Sequence, residues 1–233
     1  PKLPLRWAST AGVCLCSLPM ASVLDLIPAS KKHVIWDFNG TLVDDVTLVL
    51  DITNDILSDR GLPAIDADRY RKLFVFPVST YYAKLGLPGE GEAFRAVADV
   101  FAKNFEAGMH DCGLRDDAMP CLSALEERGL SSSVLSASRQ ESLEALTAQF
   151  GLTEIMTEIC GIKDHYAHGK IDSGLQWIQE TGRSPEELVM VGDTAHDFEV
   201  ASELGASCIL VSFGHSSRDK LEACGCPIAD SLC

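Results

Sequence analysis

Val34-Ile35-Trp36 is an apolar run that stops on an acid, Asp37, and turns through Asn39-Gly40 before apolar residues resume at Leu42 and Val43. A run this short, with two β-branched residues, a tryptophan and no polar alternation, reads as a strand covered on both faces, as in a parallel sheet. Asp37 then stands at the strand's carboxyl end, where open α/β sheets gather ligands and chemistry. Gly40 permits a backbone conformation that other residues resist. The same letters also fit a strand, a turn and an Asx-type cap with no chemistry attached.

The pattern downstream narrows the architecture. A helical period over Val46 to Arg60 places Val46, Val49, Leu50, Ile56 and Leu57 on one face, and Gly61 and Pro63 end it. Residues 66–113 read as helices broken by Pro77, Pro88 and glycines, with an aromatic-rich stretch from Phe74 to Tyr82. From Met119 on, helix and strand alternate. A helix over Leu122 to Arg128 precedes a strand over Ser131 to Leu135, which ends in Ser136-Ala137-Ser138. Ser138 with Glu141 has the capping-box spacing for the next helix, closed by Gly151. Ile155 to Gly161 is a strand or an irregular link. A polar loop over 163–169 delivers Lys170, and an amphipathic helix follows over Asp172 to Thr181 with Leu175 and Ile178 inward. Leu188 to Val191 is a strand ending in Gly192-Asp193-Thr194. A helix over Phe198 to Leu204, a strand over Ser207 to Val211 and a short helix over Arg218 to Cys224 complete the chain.

Strands alternating with helices imply a parallel sheet with right-handed crossovers. The expected fold is therefore α/β, a Rossmann-like doubly wound core with a small helical cap inserted after the first strand. Residues 31–45 and 114–233 form the core, 46–113 the cap, and 1–30 a weakly patterned extension. In that extension Lys2 and Arg6 precede a mildly apolar Ala11 to Met20 broken by Pro19, a poor match to a secretory leader, and Met20 is a candidate start.

Charge and cysteine usage limit the partners. A net charge of −15 argues against nucleic acid and against an anionic membrane surface, and no apolar run is long enough to span a bilayer. An anionic substrate would need a local cation to overcome that field. The nine cysteines are odd in number, irregular in spacing and lack a C-x-x-C pair. Cys14/Cys16 and Cys224/Cys226 are pairs that could bind a metal, but zinc sites usually show two- to four-residue gaps with further ligands, and reduced thiols in a cytoplasmic protein are the expectation.

Three strands end in polar groups, Asp37, Ser136 and Asp193, and Lys170 comes from a loop. Strand ends of one polarity share one edge of a parallel sheet, so these residues can converge without being sequence neighbours. Two carboxylates with a backbone carbonyl and water suit Mg²⁺, a hard ion that prefers oxygen. Lys170 can neutralise Asp37 and a transferring phosphoryl group. The Ser136 hydroxyl can bond a phosphoryl oxygen, and Asp37 can serve as nucleophile.

At these residues the chain resembles the haloacid dehalogenase superfamily, in its phosphoglycolate-phosphatase-like branch. Asp37-Phe38-Asn39-Gly40-Thr41-Leu42 stands for D-x-D-G-T-L, and Gly192-Asp193-Thr194-Ala195-His196-Asp197 for G-D-x-x-x-D, with Ser136 and Lys170 in order between them. The resemblance implies a type 1 cap and a Mg²⁺-dependent phosphatase working on a small phosphorylated metabolite through an aspartyl-phosphate. It assigns Asp37 as nucleophile and metal ligand, the Asn39 carbonyl and Asp193 as further ligands, and Asp197 as the acid supporting the metal or Lys170. Thr194 and His196 stand beside that set. Ser136, Ala137, Lys170 and Thr41 are implied substrate contacts; the cap's candidates are Arg71 and the aromatic Phe74 to Tyr82 segment, which also reads as a core-forming stripe.

Asn39 departs from the pattern. Family phosphatases carry aspartate there, to protonate the leaving oxygen and then activate water, work typically worth about 10²–10⁴-fold. Three readings follow: a phosphatase that tolerates the amide, a non-hydrolytic binder of phosphorylated ligands, and another hydrolase of the superfamily. A phosphonate hydrolase would need a cap lysine, for which Lys72 and Lys84 are candidates.

Overall fold

The computed structural model describes residues 21–162 and 168–233. A first turn of helix, α1 (Val23–Leu26), leads to β1 (His33–Trp36). Four helices follow: α2 (Val46–Ser58), α3 (Ala67–Leu73), α4 (Val78–Lys84) and α5 (Gly91–Gly108). The chain then alternates through α6 (Ala118–Glu127), β2 (Ser131–Arg139), α7 (Gln140–Gln149), β3 (Met156–Ile162), α8 (His168–Thr181) and β4 (Leu188–Gly192). It ends with α9 (Ala195–Glu203), β5 (Ser207–Val211), α10 (Arg218–Glu222) and β6 (Ile228–Ala229).

The six strands form one parallel sheet in the order β3-β2-β1-β4-β5-β6. This is the doubly wound arrangement, in which the winding reverses beside β1 and opens a crevice at the strands' carboxyl ends. Side chains alternate between two cores because successive residues of a strand point to opposite faces. Val34, Trp36, Val189, Val191, Ile209 and Val211 pack with α6 and α7, whereas Ile35, Met190 and Leu210 pack with α8, α9 and α10. A third apolar cluster lies among α2 to α5, around Ile56, Tyr70, Tyr81 and Val97. Leu48 and Phe105 touch both this cluster and the first sheet core.

Residues before β1 are tied to the end of the chain. Val23 N donates to Ser231 O at 3.0 Å, and the Val23 side chain is buried in the sheet core. Residues 1–20, with Cys14 and Cys16, and the expected polar loop at 163–167 lie outside the described residues. Among the described residues no helix is long and apolar enough to cross a membrane.

Several elements differ from expectation. The helix carrying Lys170 starts at His168, so Lys170 sits in a helical first turn and not in a loop. That shifts the inward face: Lys170 and Trp177, two turns apart, are buried, and Leu175, expected inward, is 44% exposed. In α2 the buried face takes Ile52 in place of Leu50, which is only half-buried. Ser138 caps no helix, because β2 continues to Arg139 through an irregular register and α7 begins only at Gln140.

His33 gives β1 a pH dependence. It is fully buried, with Nδ1 2.6 Å from Ser131 Oγ, and burial, helped by nearby Arg183, pushes its pKa down to about 4. Its contribution to stability is complete above pH 6.5 and is lost as pH falls toward 4, because only the unfolded chain then takes the proton, at about 1.4 kcal/mol per pH unit. Urea unfolding at pH 7 and pH 5 is expected to show a larger loss for the wild type than for His33→Gln, by about 2 kcal/mol. Equal losses would remove His33 as the cause.

Candidate active site

β1 and β4 are neighbours in register, Trp36 against Val191, and Asp37 N donates to Val191 O at 2.8 Å. Asp37 and Asp193 therefore leave the same edge of the sheet side by side. Asp197 joins them from the first turn of α9. One oxygen from each of Asp37, Asp193 and Asp197 lies within 4.8 Å of the others, and all three side chains are buried.

Lys170 lies between two of these acids. Its Nζ donates to Asp37 Oδ1 at 2.5 Å and to Asp197 Oδ1 at 2.7 Å, with the lysine 2% exposed. Burial alone would lower the lysine's pKa, but the paired carboxylates of Asp197 and Asp37 raise it above its ordinary value. Asp197 is satisfied on its other oxygen too, which accepts from Thr194 Oγ1, Thr194 N and Asp193 N at 2.8, 3.0 and 3.2 Å. Burial disfavours its charge, yet Lys170 and the Thr194 hydrogen bonds win and hold its pKa below the usual range. Asp197 is thus a buried anchor for Lys170.

Asp37 and Asp193 are less well compensated. Burial pushes Asp37 up to about 6 against the pull of Lys170, and pushes Asp193 up to about 8 against the pull of His215. Besides Lys170, the Asp37 carboxylate has a long bond from Thr41 Oγ1, at 3.4 Å, and the backbone N–H of Phe38 beside it. Asp193 Oδ2 accepts from His215 N at 2.5 Å. Two buried, under-paired carboxylates on one edge make an all-oxygen donor set that fits a hard divalent cation, which would hold both ionised.

Asp45 organises the opposite side. It is 1% exposed, its Oδ1 accepts from Gly40 N at 2.8 Å and lies 3.1 Å from His215 Nε2, and its Oδ2 accepts from Asn39 Nδ2 at 3.0 Å. His215 Nδ1 is in turn 2.8 Å from the Tyr70 hydroxyl on α3. Burial would lower the His215 pKa, but Asp45 raises it to about 9, so the imidazolium neutralises Asp45. Asn39 Oδ1 accepts from Ser138 Oγ at 3.1 Å, leaving the carboxamide held at both ends. Gly40 meets this crowding with φ of 74°, and a Cβ there would stand 2.5 Å from Asp193 Oδ2 and from the His215 ring.

A cavity of about 290 Å³ opens over these groups. Asp37, Asn39, Ser136, Ala137, Lys170, Asp193, Thr194, His196 and Asp197 all line it, so the sheet edge brings these expected residues together. Ser136 Oγ accepts from Ser138 N at 3.1 Å, within the irregular last part of β2. Thr41 is fully buried beneath Asp37 and does not line the cavity. Arg71 corrects the expectation placed on it. Its Nε donates to Gly214 O at 2.9 Å, and it faces a separate open depression. Lys72 and Lys84 are exposed and outside the cavity lining, which removes the placement a Schiff-base lysine would require. His196 Nδ1 lies 3.2 Å from Glu199 Oε2.

Asp45, His215, Tyr70 and Ser138 carried no assigned site role in the sequence. His215 had a usable signal: it lies four residues beyond the end of β5, on the same carboxyl edge as Asp37 and Asp193. Asp45 offered none, because its role depends on the amide at Asn39.

Known proteins place these motifs in context. The family model described as haloacid dehalogenase-like hydrolase matches residues 34–211. The phosphoglycolate phosphatase of Synechococcus elongatus is 26% identical over 200 residues, 84% of this chain and 90% of that one. The tyrosine-protein kinase PtkA of Mycobacterium tuberculosis is 25% identical over 195 residues, covering 83% of this chain, and the match spans only 66% of that longer protein. Among solved structures, a haloacid dehalogenase-like family hydrolase from Streptococcus pneumoniae shares the fold with a TM-score of 0.74 at 18% identity, covering 88% of this chain and 96% of that one.

Proposed function

This chain belongs to the haloacid dehalogenase-like hydrolase family, and we propose that it is a Mg²⁺-dependent phosphatase that cleaves a small phosphorylated metabolite through a phosphorylated Asp37. The observation that carries this reading is the buried Asp37–Lys170–Asp197 chain, at 2.5 and 2.7 Å, with Asp193 beside it at the carboxyl edge of the sheet. The phosphatase named among its relatives supports the reaction class. The domain division proposed with it is a core of 31–45 and 114–233 and a cap of 46–113.

In this reading Asp37, Asp193 and the Asn39 carbonyl would hold Mg²⁺, which would supply positive charge against the phosphate. An Asp37 oxygen attacks phosphorus, the ester P–O bond breaks, and the alcohol oxygen leaves with the electron pair and takes a proton. Lys170 and the Ser136 hydroxyl bind phosphoryl oxygens and stabilise the charge gathered there. Water then attacks the same phosphorus, the Asp37–phosphorus bond breaks, and phosphate leaves with Asp37 regenerated. No carboxyl at position 39 helps either proton transfer.

Phosphate release from a panel of aryl and alkyl monoesters tests this. Release is expected with Mg²⁺ and is lost in EDTA. Thermal stabilisation by phosphate esters with no release from any of them would overturn the enzyme and leave a binder of phosphorylated ligands, the reading that the pinned Asn39 amide favours.

A further inference from the structure

The proposed phosphatase has a cavity whose far wall is chemically one-sided. Beyond Asp37 and Lys170 it is built from Val49 of α2, Phe74 at the end of α3, Tyr81 and Tyr82 of α4, and Phe101 and Phe105 of α5. Phe101 and Phe105 lie nearly parallel, ring centroids 5.7 Å apart at 15°. Among the described residues no lysine or arginine of α2 to α5 lines the cavity, and Arg71, the one expected to, is turned to Gly214 O. The described basic side chains that line it, Lys170, His215 and His196, belong to the core, and each is already paired: Lys170 with Asp37 and Asp197, His215 with Asp45, and His196 with Glu199.

We infer that the substrate is a phosphate monoester whose alcohol carries a single aromatic ring and no second anionic group. This rests on the phosphatase reading for where the phosphate sits. A carboxylate or second phosphate on the alcohol would be driven into an apolar wall with no unpaired counter-ion among the described residues, beside a surplus of buried acids. A ring removes apolar surface from water on both sides and meets aromatic edges and faces at the distances such pairs prefer. At about 290 Å³ the cavity is at the small end for ligand sites, with room for a phosphate and a ring.

The test separates recognition from leaving-group chemistry by using alkyl esters throughout: benzyl phosphate, ethyl phosphate and 2-phosphoglycolate, all with Mg²⁺. Benzyl phosphate is expected to exceed both others in kcat/KM by about 30-fold or more, the size of burying a ring. Phe101→Ala is expected to narrow that gap, chiefly through KM for the benzyl ester. Benzylphosphonate, which is not turned over, is expected to raise Tm in the presence of Mg²⁺ well beyond methylphosphonate. Release from all three esters at similar kcat/KM overturns the substrate class and leaves the phosphatase standing. No release, with benzylphosphonate still preferred, overturns the phosphatase and keeps the ligand class. No release and no preference overturns both.

Discussion

Asp37→Asn is expected to reduce phosphate release by at least about 10⁴-fold on every ester, the scale seen when a nucleophile that acts as one unit with its partners is removed. The loss should fall on kcat, because Lys170 and Ser136 still bind phosphate. The variant should also fold: Lys170 keeps Asp197 at 2.7 Å, and an isosteric amide can present its oxygen to Lys170 where the carboxylate did. Phosphate-release kinetics and a thermal melt decide it together. A folded variant with substantial turnover would remove Asp37 as nucleophile.

Exchanging the amide and the acid between positions 39 and 45 is expected to have the next largest effect. In the wild type Asn39 donates to buried Asp45, which also receives Gly40 N and faces the His215 imidazolium. Asn39→Asp alone sets two buried carboxylates against each other; one must hold a proton or repel, and the variant should be less stable with less than about a tenfold gain on alkyl phosphates. Asp45→Asn alone leaves the imidazolium without its counter-ion, a loss of about 3–5 kcal/mol for a broken buried pair. The double variant Asn39→Asp/Asp45→Asn restores one acid, one amide and the hydrogen bond between them with its direction reversed. It should recover stability beyond the sum of the singles and speed alkyl phosphates by about 10²-fold, the work of a general acid, with little gain on aryl phosphates whose leaving groups need no proton. Additive stabilities, or equal acceleration of both ester classes, would count against this account.

Much of this site was legible because the information is local. A short apolar run ending in Asp37, and another ending in Gly192-Asp193, identify strand ends, and a parallel sheet puts such ends on one edge. The Asp45–His215–Tyr70 chain was not legible. It joins the residue before α2, the turn after β5 and α3, and nothing in the spacing of those segments fixes their contact. Ser138 misled for a different reason: its spacing to Glu141 matches a helix cap, but an irregular register carries β2 past it and turns its hydroxyl to Asn39. Leu175 was misassigned because the helical phase is set by buried Lys170, whose turn lies before the apolar residues that suggested the helix. Arg71 shows the limit of composition, since a cation in the cap can serve to hold the cap down.

The locked Asn39-Gly40 peptide bears on how the protein ages. Asparagine followed by glycine loses ammonia when the glycine nitrogen attacks the side-chain carbonyl carbon, a cyclisation that needs both groups free to move. Here Gly40 N is tied to Val43 O and Asp45 Oδ1, and the Asn39 side chain is held by Asp45 and Ser138. The fold thereby shields a chemically fragile dipeptide at the centre of its site. Deamidation is left to chains that have opened, so the refolding history of a preparation decides whether residue 39 is still an amide.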